Sequence, residues 1–341
     1  MTDNNDKKKN DGDKQNKLFI RENTWLVVVI VVLVLAFTVG IVFTLFYNLG
    51  SSDKGSGRKF SLGSSVAVLD VTGEIGDTSL GAAYDHDWTM STIGDLIDDS
   101  SNRGIVIRVN SPGGSVYTSD ELYEELLKYK KETGRPIYVY FQDEAASGGY
   151  YISMAADKIY ANRNTWTGSI GVTMGTQYDV TGLLDKLGIK THTITSGRNK
   201  AMGSMTAELT DEQRRIMQSL IDEPYDQFVK IVAKGRNMPE EKVREIGDGR
   251  IYSAKQAKAL GLIDEICGEE EFFDKVRKMD GLEDVDFDFM HPDTKTSFLD
   301  MLQQLIQSKS EIGKASEYRQ LIDLSKNGNK FNIKYLAEIN K

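Results

Sequence analysis

Residues 105–115 read IVIRVNSPGGS and residues 137–150 read IYVYFQDEAASGGY. Each is a short apolar run, rich in β-branched or aromatic residues, that breaks into a turn of small residues and then into an amphipathic stretch. That is the pattern of a buried strand feeding a helix. Working outward, similar runs predict strands over 66–71, 105–109, 137–141, 158–161 and 190–195, each bounded by Gly, Pro, Asn or Asp. Helices are predicted over 115–131, 145–156, 182–187 and 211–236. The last opens after Thr210, a side chain able to accept from the first free amides, with Gln213 placed to complete a capping box. Ser253 caps AKQAKAL, Gly261 ends it, and Leu262-Ile263-Asp264 follows as a short strand. Strands alternating with helices give an α/β domain over 65–289, with no internal repeat.

The flanks are of another kind. Residues 1–24 are mostly Asn, Asp and Lys, with little to bury, and read as a disordered head. Trp25 to Tyr47, WLVVVIVVLVLAFTVGIVFTLFY, carries no charge and is long enough to cross a bilayer, which takes about 20 residues of helix. A cleaved secretory signal has an apolar stretch of only about 7 to 15 residues ending in small side chains, whereas this one ends Phe46-Tyr47-Asn48. Lys7, Lys8, Lys9, Lys14, Lys17 and Arg21 precede it, and only Lys54, Arg58 and Lys59 stand in the Gly/Ser-rich linker 48–64 that follows. The asymmetry puts the amino terminus in the cytosol and the α/β domain on the outer face of a cell membrane. Residues 290–341 read as a tail outside the main core, able either to dock on the domain or to hang free.

Composition excludes several classes. With 42 basic and 51 acidic residues the net charge is -9, which argues against a nucleic-acid partner because phosphate binding needs clustered cations. The single cysteine, Cys267, allows no intrachain disulfide and lies in an apolar stretch, so it is expected to pack in the core. His86, His192 and His291 are the only histidines and form no HExxH or other zinc spacing, and no phosphate-binding glycine loop occurs. Neither a metal nor a cofactor is expected.

Hydroxyls and amines remain as reagents. Ser147, flanked by Ala146, Gly148 and Gly149 at the end of an apolar strand, has what a nucleophile needs: an exposed oxygen and unencumbered backbone amides nearby. The Gly113-Gly114 turn, at the corresponding end of another strand, could supply an oxyanion donor. Alone, either turn reads more readily as tight packing, but two on adjacent strand ends favour a site, since one can supply the nucleophile and the other an oxyanion donor. A serine also needs a base. His192 lies in the alternating run Lys190–Thr195, where a side chain is better placed for packing or solvation than catalysis. Lys200, in SGRNKAMGS, is the better candidate, although an ordinary lysine stays protonated at neutral pH and must be buried away from competing charge to accept a proton.

The stretches NSPGGSVYTSDELYEEL, AASGGYYISMAADKIYANRNTWTGSIGV, ITSGRNKAMGS and GRIYSAKQAKALGLID, in that order over about Ser65 to Gly268, resemble the successive motifs of the bacterial signal peptide peptidase A family. Its fold is similar to that of the Clp protease and crotonase superfamily, so the resemblance implies a spiral of ββα units. It also implies a Ser/Lys dyad, with Ser147 as nucleophile, Lys200 as general base, Ser169 orienting the lysine, and Gly113, Gly114 and Gly148 in the oxyanion and substrate-binding turns. The implied substrates are remnant signal peptides and related apolar peptides. The implied assembly is a homo-oligomeric ring, an octamer among the possibilities, in which neighbouring subunits can share a dyad. Two rivals stand beside this reading: an acyl-CoA enzyme on the crotonase scaffold, and a catalytically silent scaffold for membrane proteins.

Overall fold

A computed structural model describes residues 63–78, 82–279, 281–283 and 285–292, together with the backbone of 334–336. The chain divides into two compact units, Met1–Phe60 and Ser61–Lys341. The head, the apolar run 25–47 and nearly all of the linker lie outside the described residues. No helix among those residues is long and apolar enough to cross a membrane.

The second unit runs β1 (Ser65–Thr72), α1 (His86–Asp98), β2 (Asn102–Ser111), β3 (Gly113–Ser115), α2 (Val116–Thr133), β4 (Ile137–Ala146) and α3 (Gly148–Ile152). It continues through β5 (Lys158–Ala161), β6 (Trp166–Gly168), α4 (Thr181–Lys186), α5 (Asp211–Arg236) and α6 (Glu240–Ile246). Then come β7 (Ile251–Ser253), α7 (Ala254–Ala259), β8 (Glu265–Ile266), α8 (Glu269–Arg277), β9 (Asp286–Met290) and β10 (Lys334–Leu336). The mixed α/β class expected from the sequence is the class observed. The main sheet is ordered β7-β6-β4-β2-β1-β9, with β5 on β4 and β8 on β5. Only the β6–β7 pairing in it is antiparallel.

Parallel strands in an α/β layer are covered on both faces, and alternation along them shows it here. On β1, Ala67, Leu69 and Val71 enter the larger core with Ile93 and Leu96 of α1, Leu122 and Leu126 of α2 and Phe228 of α5. Val66 and Val68 face the other way, into a smaller core with Phe272 and Val276 of α8 and with Cys267. Cys267 is thus a packing residue, as expected, and burial pushes its thiol up to about 11. On the same side Arg108 of β2 grips Asp70 of β1 with two hydrogen bonds of 2.6 and 2.7 Å and reaches Glu269 at 3.0 Å, tying α8 to the sheet.

Three local readings are corrected. The predicted strand 190–195 is irregular and exposed: Ile194 is 98% accessible, and among the described residues no strand pairs with it to satisfy its backbone. The helix expected from Ala145 begins at Gly148, because β4 extends through Ala146 to pair with β6. The short strand expected at 262–264 forms instead at Glu265–Ile266, beside Tyr160 and Ala161. The capping boxes at Thr210/Gln213 and Ser253/Gln256 are both present. In the tail, β10 pairs antiparallel with β3.

α5 reaches the turn behind α3 by close backbone approach. A Cβ on Gly235 would stand 2.9 Å from both Cβ and O of Met154. In a free helix, Gly→Ala gains about 1 kcal/mol, but overpacking a closed contact costs about 1 to 3 kcal/mol. Gly235→Ala is therefore expected to lower stability in urea unfolding, and a stabilised variant would contradict the contact.

Candidate active site

The site lies where β2 and β4 end, the side of an open α/β sheet on which ligands bind. After β2 the chain turns through Pro112 into Gly113 and Gly114. Ser111, fully buried, fixes this turn: its Oγ donates to Gly73 O at 2.6 Å and accepts from Gly113 N at 3.1 Å. Ile75 docks alongside, with Ile75 N donating to Gly113 O and Ser115 N donating to Ile75 O, both at 2.8 Å. A Cβ on Gly114 would fall 2.0 Å from Ile75 O, so only glycine fits. Because Gly113 O and Ser115 N face Ile75, alternation turns the N–H and C=O of Gly114 to the opposite edge. That edge carries β10, with Tyr335 opposite Gly114.

After β4 the chain makes a sharper turn. Ser147 has φ 53 and ψ -116, a region that side-chain-bearing residues rarely adopt. It is held there by Ser147 N donating to Gly168 O and Tyr151 N donating to Ser147 O, both at 2.8 Å. The neighbouring hydroxyl of Thr167 donates to Ala145 O at 2.6 Å. The strand-turn-helix form is that of a nucleophile elbow, in which strain presents a serine at the end of a strand. Against the exposed oxygen expected from the sequence, Ser147 is wholly buried, and its Oγ has no hydrogen-bond partner.

The two turns meet at Gly148. A Cβ there would lie 3.1 Å from Gly114 N, 3.2 Å from Gly113 Cα and 2.6 Å from Ser119 Oγ. Ser147, Gly148, Gly113 and Gly114, named from separate motifs, are thus brought together. Ser169 follows the β6 residue that receives Ser147 N, with φ 49, its amide donating to Arg250 O at 2.8 Å. It borders a cavity of about 520 Å³ whose lining includes Ile170, Val172, Asp222, Tyr225 and Asp248.

Ser147 Oγ receives no hydrogen bond from Lys200. Lys200 stands exposed on a segment over 174–206 whose large apolar side chains, Tyr178, Leu183, Leu187, Ile189 and Ile194, also face outward. His192 is exposed on the same segment and makes no hydrogen bond. The segment is tied at its base by Val180 N to Met205 O at 2.9 Å, and by Arg198 to Glu212 at 2.6 Å.

Two further polar atoms, Ser119 Oγ and Glu144 Oε1, are buried without partners near the turns. Sequence reasoning passed over both, since nothing marks a serine inside α2 or an acid at the end of β4. Burial raises the Glu144 carboxyl above its ordinary range. Among the described residues no cluster of His, Cys, Asp and Glu could hold a metal ion.

Residues 129–283 match the model of peptidase family S49, a span that contains Ser147, Ser169 and Lys200. A candidate signal peptide peptidase SppA of Enterococcus faecium is 41% identical over 225 residues, 64% of this chain and 64% of that protein. A candidate protease of Synechocystis is 37% identical over 213 residues, 62% of this chain and 73% of that protein. Protease 4 of Haemophilus influenzae is 33% identical over 225 residues, but only 35% of its length is covered.

The Ser147 backbone supplies a stability test. Strain of this kind costs about 1 to 3 kcal/mol, and glycine releases it while losing roughly 0.5 to 1 kcal/mol in chain entropy. Ser147→Gly should therefore unfold about 1 kcal/mol later than Ser147→Ala, which keeps the Cβ. Equal denaturation midpoints would show that the elbow stores no strain.

Proposed function

The chain belongs to peptidase family S49, and from that premise we propose that it is a membrane-anchored serine endopeptidase degrading remnant signal peptides and related apolar peptides. The observation that carries the reading is Ser147: a strained, buried serine with an unpartnered hydroxyl, set against the backbone of two glycine turns. Its Oγ attacks the scissile carbonyl and passes its proton to Lys200. The amides of Gly148 and Gly114 receive the oxyanion, where fixed donors are worth most. Collapse sends the proton from Lys200 to the leaving amine, and water then releases the acyl group by the same steps. A Ser-Lys pair is one of the convergent forms of the serine-base arrangement.

We infer further that the assembly is a homo-oligomeric ring in which one copy's Lys200 serves a neighbour's Ser147. Support comes from the exposure of Lys200, the missing partner of Ser147 and the outward apolar side chains around Lys200. A neighbour covering that segment would remove the lysine from water, the condition under which an amine serves as base. Ser169, beside the cavity of about 520 Å³, would then orient the incoming lysine. The charge-free run Trp25 to Tyr47 provides the anchor, with the protease domain outside the cell membrane. The Enterococcus faecium relative, named as a candidate signal peptide peptidase, supports signal peptides as substrates.

An extended peptide would bind by adding a strand to the Gly113–Ser115 edge. The chain's own β10 lies on that edge, antiparallel, and a substrate must displace it. Shortening the chain to end at residue 292 should therefore raise kcat/KM for a fluorogenic apolar peptide; unchanged or lower activity would place substrate elsewhere.

For the dyad, Ser147→Ala and Lys200→Ala in the full chain should each cut cleavage by about three orders of magnitude or more. Mixing the two inactive proteins should restore part of the activity. Full activity in either variant would end the dyad reading, and absence of rescue would assign both residues to one chain.

A further inference from the structure

Two of the three buried, unpartnered side-chain atoms among the described residues bracket a single glycine. Ser147 Oγ belongs to the residue before Gly148, and Ser119 Oγ lies 2.6 Å from where a Gly148 Cβ would project. Ser119 sits in the first turns of α2, which starts immediately after the Gly113-Gly114 turn, and it is completely inaccessible. A hydroxyl buried without a hydrogen bond costs about 1 to 3 kcal/mol. Alanine would fill the same helical position without that cost and with a better helix propensity. Folding alone therefore gives no reason for an oxygen here.

Its neighbours suggest one. The point 2.6 Å from Ser119 Oγ is also 3.1 Å from Gly114 N and 3.2 Å from Gly113 Cα. The hydroxyl thus stands at the seam between the turn bearing the nucleophile and the turn bearing the second oxyanion amide. The other hydroxyl near this seam, on Ser111, is saturated: it donates to Gly73 O and accepts from Gly113 N, and so builds one turn. Ser119 is bound to neither turn and touches the gap between them.

Resting on the serine protease reading, we propose that Ser119 is a positioning residue of the oxyanion hole. Its Oγ is the spacer that sets the distance between the Gly148 and Gly114 amides. Without that atom the two turns settle closer together, and the amides no longer converge on one oxygen. The spacing matters only when charge develops on the substrate carbonyl, so ground-state binding is spared and transition-state binding is not.

The test uses the full chain and its Ser119→Ala variant, a change that removes one atom and introduces no clash. Expected are a fall in kcat of about tenfold or more with KM within about twofold, against the 100- to 1,000-fold that loss of a whole donor costs. Affinity for a peptidyl boronate, whose tetrahedral adduct with Ser147 places an oxygen in the hole, should fall by the same factor as kcat. Affinity for the matching unreactive peptide amide should hold, and the melting temperature should stay level or rise. An unchanged kcat, an equal loss of boronate and amide affinity, or a lower melting temperature accompanying the loss would each overturn the role. If the unaltered chain neither cleaves peptide nor binds boronate better than Ser147→Ala does, the protease premise itself fails, separately from Ser119.

Discussion

Everything at the site depends on backbone lying against backbone where β2 and β4 end. Gly114 packs on Ile75 so closely that a Cβ would enter its carbonyl, and Gly148 packs on the Gly113-Gly114 turn with no room for a side chain. Interiors packed to crystal-like density transmit such constraints. Once the turns touch, the direction of β3 is fixed, α2 must leave from Ser115, and Ser147 must take the strained geometry that lets β4 pass into α3. The sheet supplies the rigid base for this contact, with parallel register from Ile105 to Val109 of β2 against Ile137 to Phe141 of β4.

A contact so determined by one chain contrasts with the segment that carries Lys200, the base in the proposed dyad. The residues from 174 to 206 bury almost nothing, and their larger apolar side chains meet water. A segment built this way gains little from its own domain, since apolar burial contributes about 25 cal/mol for each Å² covered. Its sequence makes sense as a surface awaiting cover, and Lys200 shares that exposure. On the proposed dyad the division is chemically useful: a lysine that becomes a base only when covered would leave Ser147 idle until the cover arrives.

This contrast also explains which parts of the molecule could be read from residues. The strands around 66–71, 105–109, 137–141 and 158–161 were legible because both faces are largely buried, so their runs are mostly apolar and are bounded by Gly, Pro, Asn or Asp. α5 was legible from its capping box. The run Lys190–Thr195 alternates as a strand should, but alternation states only that two faces differ, and the pairing partner must come from elsewhere in space. The start of α3 was misplaced because Ala145 and Ala146 favour helix locally but are claimed by β6. Ser147, Gly113, Gly114 and Gly148 were visible as small residues at strand ends. Ser119 and Glu144 were not, because an unpaired atom is a property of surroundings and leaves no mark in composition or period.

The treatment of buried polar groups separates structure from chemistry in this domain. Asn102, Ser111, Ser153, Thr165 and Thr167 are buried, and each side chain is hydrogen-bonded, to backbone in every instance. These groups hold strands and turns in register, and a fold that satisfies them has shown that it can do so. Among the described residues the unsatisfied atoms belong to Ser119, Glu144 and Ser147, the first in the helix that follows the Gly113-Gly114 turn and the other two at the end of β4. Random imperfection would scatter such atoms through the core. Ser119 and Ser147 flank Gly148 beside a strained backbone, so the cost of leaving their hydroxyls unpaired is borne where a substrate can later repay it with contacts of its own.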